Sequence, residues 1–203
     1  MKISVIGAGN IGGILGSKWA NQGHEVLFGV RDPQADKVAA LLASGGNKAR
    51  AAMVPESIGA AEVVLFAVPA NSMKETAAKI GDELNGKILI DATNAVGRSP
   101  MHQFDLLRET APNSALFRAF SNLGWENFAD PMIKGVQIDL FYCGDPGPQQ
   151  QQVDKLIADI GLRPVYIGDI SQAGIIDSLT QLWFTLALRQ GLGRHLAFKL
   201  LAE

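Results

Sequence analysis

The stretch VIGAGNIGG, Val5 to Gly13, restricts the possible folds of this chain more than any other. Lys2 to Ile6 is short, apolar and β-prone, and NIGGILGSKWANQG has helical character until Gly23 stops it. Gly7, Gly9 and Gly12 therefore supply the G-x-G-x-x-G spacing between a strand and a helix. The first glycine permits a tight turn, the second admits a pyrophosphate to the backbone, and the third lets helix and strand pack closely. Backbone N–H groups around Asn10 and Ile11 then face an anion at a helix N-terminus, where the partial positive charge favours it. His24 to Gly29 reads as a second strand, which completes a βαβ unit. In that context the motif predicts a dinucleotide site; a glycine turn used only for packing is the alternative.

The residues after the second strand bear on which dinucleotide is bound. About 20 residues beyond such a turn, a carboxylate commonly meets a free ribose hydroxyl. Here Gly29, Val30 and Arg31 occupy that place. A guanidinium can make two charge-assisted hydrogen bonds to a 2′-phosphate and stack on the adenine, which favours NADP(H) over NAD. Asp32 has two readings: a carboxylate turned inward, or the cap of a helix beginning near Pro33. Lys37 is a weaker second candidate for the phosphate, or simply a solvated helix residue.

Downstream the alternation continues. VVLFAV before Pro69, KILIDAT after Gly86, ALFRAF, DLFYCG and PVYIG read as strands; Ser72 to Leu84 and Gln149 to Ile160 read as helices. Strands apolar on both faces and separated by helices predict an α/β, Rossmann-type doubly wound, mostly parallel sheet. After Ile170 no strand pattern remains. One or two helices are expected there, with Leu179, Leu182, Trp183, Leu186 and Leu188 on a broad apolar face. Residues 1–170 thus read as the dinucleotide-binding domain and 171–203 as a small helical appendage, packed on it or on a second subunit of a homodimer.

Composition narrows the partners. A formal net charge of −2 without a basic stripe disfavours nucleic acid and anionic membrane surfaces, leaving small molecules. Cys143 is the only cysteine, so no disulfide framework or cysteine-based metal cluster is expected, and a reducing cytoplasm fits best. MKISVIGAG lacks the pattern of a secretion signal. The longest apolar candidate, near LWFTLALRQGLGRHLAFKLL, is interrupted by Arg189, Gln190, Arg194 and His195, so no membrane span is expected. His24, His102 and His195 have no ligand spacing, and neither HExxH nor a Ser-His-Asp arrangement is evident, so no metal site is expected.

The chain resembles the NADPH-dependent coenzyme F420 reductases, whose fold recurs in the cytosolic domain of the STEAP metalloreductases. The likeness rests on GAGNIGG, GHEVLFGVRDP, FAVP and CGDPGP…LIADIGLRPVYIG…DSLTQLWFTLAL, and covers nearly the whole chain. It implies a Rossmann domain, NADP(H) along the strand ends, and hydride transfer to a stacked F420, FMN or FAD. By position, the resemblance puts Ala8, Gly9, Asn10 and Ile11 on the pyrophosphate, and Val30 and Arg31 on the 2′-phosphate. Val68, Pro69, Ala70 and Ser72, in and just after AVP, would border the dinucleotide near its middle, with Trp125 close to the nicotinamide. Two positions depart from the family pattern: Val30 stands where a serine is frequent, and Ser121 stands where the F420 enzymes carry a histidine.

Such a transfer needs no protein nucleophile, because the cofactors carry the chemistry and the protein positions two rings, so no catalytic side chain is expected. Several residues keep two readings. Asn94, in DATN, either binds the nicotinamide amide or stabilises a turn. SNLGWENFADP is either a pocket rim or loop packing; His102 either reaches the pocket or lies on a surface loop. Cys143 reads as a buried small residue rather than a redox thiol. Two other functions stay open: an NADP-binding sensor without turnover, and a reductase of small organic substrates such as imines or hydroxy acids. Cousins of the latter kind usually add a large helical substrate domain.

Overall fold

The computed structural model describes all residues from Met1 to Glu203. Its first unit is β1 (Lys2–Ile6), α1 (Asn10–Asn21) and β2 (Glu25–Val30), followed by α2 (Asp36–Gly45), β3 (Ala49–Met53) and α3 (Val54–Ile58). The second half starts with β4 (Val63–Phe66), α4 (Met73–Ile80), β5 (Ile88–Asp91), α5 (Phe104–Thr110) and β6 (Ala115–Arg118). Then come α6 (Trp125–Ala129), the hairpin strands β7 (Met132–Ile133) and β8 (Val136–Gln137), β9 (Asp139–Gly144), α7 (Pro148–Asp159), β10 (Arg163–Tyr166) and α8 (Ala173–Phe184).

One eight-stranded sheet organises the molecule, in the order β10-β9-β6-β5-β4-β1-β2-β3. Within it β3-β2-β1-β4-β5-β6 is parallel and doubly wound. The winding reverses between β1 and β4, and in such sheets ligands bind at the crevice beyond the strand ends at that point. The interior strands are apolar on both faces because helices cover both. Ile3, Val5, Val63 and Leu65 point into one core with Leu15 and Trp19 of α1, Val38 of α2, Phe128 of α6 and Leu156 of α7. Ile6, Val64 and Phe66 point into the other, with Ile58 of α3, Met73 of α4, Leu107 of α5 and Ile176 of α8.

β9 runs antiparallel to β6. The chain between them turns back through a hairpin whose two central residues, Lys134 and Gly135, both have positive φ (50° and 78°), as a two-residue hairpin turn demands. The sheet is accordingly mostly, not wholly, parallel.

One expectation changes and another narrows. The helix after β2 does not begin near Pro33: α2 starts at Asp36 after Ala35, and Asp32 instead closes a turn, its Oδ1 accepting from Gln34 N–H at 3.0 Å. The C-terminal segment makes one helix, α8, continued by a π-turn over Thr185–Arg189, and no second helix. Gly191 and Gly193 take positive φ (70° and 87°) and end it. Residues 194–203 run back as an irregular strap held at Arg194, Leu196 and Leu200 by side chains. Trp183 and Asn127 donate to Leu196 O at 2.8 and 3.1 Å, and Asp139 accepts from Leu200 N–H at 2.7 Å.

Candidate functional site

Where the winding reverses, β1 ends in a turn built for close approach. Gly7 has φ 108°, and a Cβ there would lie 2.5 Å from Ala67 O. A Cβ on Gly12 would lie 2.0 Å from Gly7 O, so α1 and β1 pack at a distance only glycine allows. Gly9 differs from both: a Cβ there would meet nothing within 4 Å. Its space is open on the side where α1 begins. The backbone N–H groups of Asn10 and Ile11 have no acceptor within the protein, and the first turn of α1 carries no acidic residue. A cradle that a Cβ would fill, ringed by free N–H groups at a helix N-terminus, fits a pyrophosphate. Ala8 packs half-buried against the core beside it.

Along the crevice the structure brings most of the expected residues to one edge of the sheet. Val30 is the last residue of β2, and its side chain is buried in the core, so only its backbone is available to a ligand. Arg31 follows, exposed and without a hydrogen bond or ion pair. Its charge reaches Glu75 of α4, whose carboxyl is held below the usual carboxylate range chiefly by the hydrogen bond from Lys79 and further by Arg31. Beyond β4, Val68 packs on the second core, Pro69 is exposed, and Ala70 to Ser72 form a 3₁₀ turn leading into α4. Asp32 is committed to its own turn, and Lys37 is exposed in the first turn of α2.

The ends of β5 and β6 are built differently. Arg118 is fully buried and all its N–H groups are used. Nε and Nη2 donate to Asp177 Oδ1 at 3.1 and 2.9 Å; Nη2 also donates to Asn94 Oδ1 at 2.7 Å. Nη1 donates to Asp91 O at 3.2 Å and to Thr93 O. Asp91 in turn accepts from Thr93 and Gln103, and Asp177 from Met101 and His102 N–H. A buried charge is tolerated only when paired and saturated in this manner. The network fixes the loop after β5 against β6 and α8.

Asn94 belongs to that network. Its amide oxygen accepts from Arg118 and its Nδ2 donates to Ser121 O at 2.9 Å, leaving one amide hydrogen for anything else. Next to it Phe120 holds φ 61°, uncommon for a bulky residue, and the buried Ser121 hydroxyl has no hydrogen-bond partner. Trp125 begins α6, half-buried against the first core. His102 is half-buried, its ring tilted by 42° against that of Phe104 with centroids 4.8 Å apart; its Nδ1 accepts from Phe104 N–H at 3.3 Å. Burial pushes the Cys143 thiol up to about 12, which makes it an inert core residue.

The Arg118 network escaped the reading of the sequence. A signal existed: an arginine inside ALFRAF and a lone aspartate on the apolar helix GIIDSL are buried-charge patterns that require each other.

Residues 2–95 match the family profile described as NADP oxidoreductase, coenzyme F420-dependent. An F420-dependent NADP reductase of Methanothermobacter thermautotrophicus is 29% identical over 210 residues, spanning 93% of this chain and 90% of its own length. The chain is thus similar to the F420-dependent NADP oxidoreductases, most clearly over its first half. Two solved structures share the fold. One, assigned provisionally to an F420-dependent NADP reductase of Arthrobacter sp. FB24, superimposes over the full length of both chains with TM-score 0.85 at 24% identity. A reductive aminase of Aspergillus terreus in complex with NADPH aligns with TM-score 0.71 at 21% identity, over 94% of this chain but only 63% of its own. No helix is long and apolar enough to cross a membrane, and no group of three or more His, Cys, Asp or Glu residues is gathered as for a metal ion.

Proposed function

We propose that this NADP-dependent oxidoreductase moves a hydride between the nicotinamide of NADP(H) and a flavin-like acceptor, F420, FMN or FAD, stacked against it. The observation that carries the reading is the pairing of an open cradle at Gly9 with an unpaired guanidinium at Arg31. Gly7, Gly9 and Gly12 shape the turn, and Ala8, Asn10 and Ile11 present backbone to the pyrophosphate. Arg31, with the backbone of Val30, meets the 2′-phosphate. Val68, Pro69, Ala70 and Ser72 flank the dinucleotide midway, while Asn94 and Trp125 border the nicotinamide.

When bound, the nicotinamide supplies a hydride, two electrons and one proton, and the acceptor takes a second proton from solvent to complete its reduction. The chain's own part is to bind, align and exclude. The Arg118 network holds the loop after β5 in one geometry, against Ser121, whose backbone carbonyl accepts from Asn94.

We also propose a homodimer through the outward face of α8 and its continuation, where Ile175, Leu182 and Leu188 are exposed, and a cytoplasmic location, which suits a chain whose single thiol is buried. Sedimentation checks the first; a monomer at micromolar concentration contradicts it.

The test of function is the loss of absorbance at 340 nm when NADPH is mixed with F420, FMN, FAD or a ferric chelate in turn. Steady oxidation with a flavin-like acceptor is expected. Tight NADPH binding with no oxidation across the panel would instead mark a sensor, and oxidation only with imines or keto acids would mark a reductase of small substrates.

A further inference from the structure

The loop after β5 carries an amide whose orientation is settled by its two neighbours. An asparagine side chain can usually exchange its oxygen and nitrogen at little cost, because each end hydrogen-bonds. At Asn94 the oxygen accepts from Arg118 Nη2 at 2.7 Å and the nitrogen donates to Ser121 O at 2.9 Å. A guanidinium only donates and a carbonyl only accepts. Turned over, the amide would set N–H against N–H on one side and oxygen against oxygen on the other. A fully buried Arg118 donor would then be left unmade.

Neither neighbour can step aside. Arg118 has five N–H groups and makes five hydrogen bonds, two to Asp177 Oδ1 and one each to Asp91 O, Thr93 O and Asn94 Oδ1. Asp177 of α8 at 2.9 Å and Asp91 at 3.6 Å hold its charge in place. On the other side, the Ser121 carbonyl is set by the backbone of Phe120, whose φ is 61°. The Phe120 ring packs T-shaped against Trp19 and Phe128, with centroids 5.7 and 5.8 Å away. Just beyond, Asn122 Nδ2 donates to Phe141 O at 2.8 Å.

What Asn94 keeps for a ligand is therefore a donor. Its side-chain oxygen is engaged by a full positive charge, whereas its nitrogen retains one unclaimed hydrogen. The backbone N–H of the same residue has no acceptor within the protein either. Asn94 is half-buried just past the end of β5, where water is partly excluded and an unmatched donor costs free energy. A carboxamide offers two ends to such a group, and only its oxygen can accept.

We infer that Asn94, locked by Arg118 as its positioning residue, makes the pocket read the oxygen of the nicotinamide carboxamide and not its nitrogen. The inference rests on the NADP(H) site proposed above, with Asn94 at the nicotinamide; the identity of the hydride acceptor does not enter it.

Two coenzyme analogues separate the ends of the carboxamide. 3-Acetylpyridine NADP⁺ keeps the oxygen and replaces the amino group by a methyl; thionicotinamide NADP⁺ keeps the amino group and replaces the oxygen by sulfur, a weak acceptor. Isothermal titration without any hydride acceptor compares both with NADP⁺ and with 2′-phospho-ADP-ribose, which has no nicotinamide. Wild-type protein should hold the acetylpyridine analogue within about threefold of NADP⁺ and the thio analogue about tenfold more weakly, the cost of an unmatched donor. Asn94→Leu, of similar size but unable to hydrogen-bond, should erase that difference. Arg118→Lys keeps a charge between Asp91 and Asp177 but frees Asn94 Oδ1, so the difference should narrow while 2′-phospho-ADP-ribose binds as it does to wild type. If the lysine variant loses its cooperative melt, Asp177→Asn, which loosens the same guanidinium from the α8 side, should narrow the difference instead. Equal binding of the two analogues by wild type, or loss of the acetylpyridine analogue alone, overturns the proposal. So does a preference that survives Asn94→Leu, which would trace it to the bulk of sulfur. Discrimination unchanged in a folded Arg118 or Asp177 variant removes the arginine from its role. Tight 2′-phospho-ADP-ribose without discrimination sinks this inference alone, whereas no binding of any of these ligands sinks the NADP(H) site itself.

Discussion

The two halves of the crevice treat their polar groups in opposite ways. At the ends of β1 and β2, donors are left unpaired: the N–H groups opening α1 and the guanidinium of Arg31. At the ends of β5 and β6, donors and acceptors saturate one another around Arg118, Asp91, Asn94 and Asp177. Both regions carry arginine beside strand ends, yet one arginine waits at the surface and the other is fully buried. On the function proposed above, the difference separates recognition from positioning. A group meant to meet a ligand must not be satisfied by the protein, whereas a group meant to hold a loop still must be satisfied completely.

That contrast breaks first at Arg118. Arg118→Met leaves Asp91 and Asp177 buried without a counter-charge and should cost about 3 to 5 kcal/mol of stability. Urea unfolding measures it; a loss under about 1 kcal/mol, the scale of an exposed pair, would show that the network is not what holds the loop.

The glycine turn offers a sharper comparison within a few residues. Gly12→Ala forces a Cβ to 2.0 Å from Gly7 O and should cost about 1 to 3 kcal/mol by overpacking. Gly9→Ala meets nothing and has an ordinary φ of −81°, so stability should hold while NADPH binding weakens by about tenfold, the worth of a good contact to a charged group. Calorimetry on the two variants, with and without NADPH, checks both. A Gly9 variant that binds normally would mean that nothing approaches the backbone there.

A third comparison concerns pH. The burial of Asp139 pushes its carboxyl up, but hydrogen bonds from Arg163, Lys199 and Leu200 N–H outweigh it, and the net shift is below the ordinary 3.8. A depressed value means that the contribution is complete above the unfolded value and is lost as pH falls through the folded one. The C-terminal strap should thus resist proteolysis at neutral pH and come free only below 3.8, whereas Asp139→Asn should free it at neutral pH. Cleavage of the wild-type strap already at pH 6 would refute this.

The smallest effect is expected at Glu75, which shares the field of Arg31. Glu75→Gln should tighten NADPH slightly and leave NADH unchanged by titration; any weakening of NADPH would place Glu75 outside the reach of the phosphate.

The sequence made the recognition half legible because its chemistry demands particular residue types at short spacing. Three glycines in a turn and an arginine about 20 residues later are visible without a partner in view. The positioning half was illegible for the opposite reason. Arg118 finds Asp91 and Asp177 27 and 59 residues away, and no local pattern announces such a pairing. β3, ARAAM, was missed because an alanine-rich run lacks the β-branched residues that mark a strand; it pairs only because β2 offers an open edge. The strap after Gly191 carries apolar residues at helical spacing, yet two glycines at positive φ and the side chains of Trp183 and Asp139 claim its backbone for the core.

The central claim is that Arg31 reads a 2′-phosphate, and isothermal titration of NADPH and NADH into wild-type and Arg31→Ala protein tests it most directly. Arg31→Ala should lose about 1 to 3 kcal/mol toward NADPH and almost nothing toward NADH. Equal losses for both, or none for either, would contradict the account.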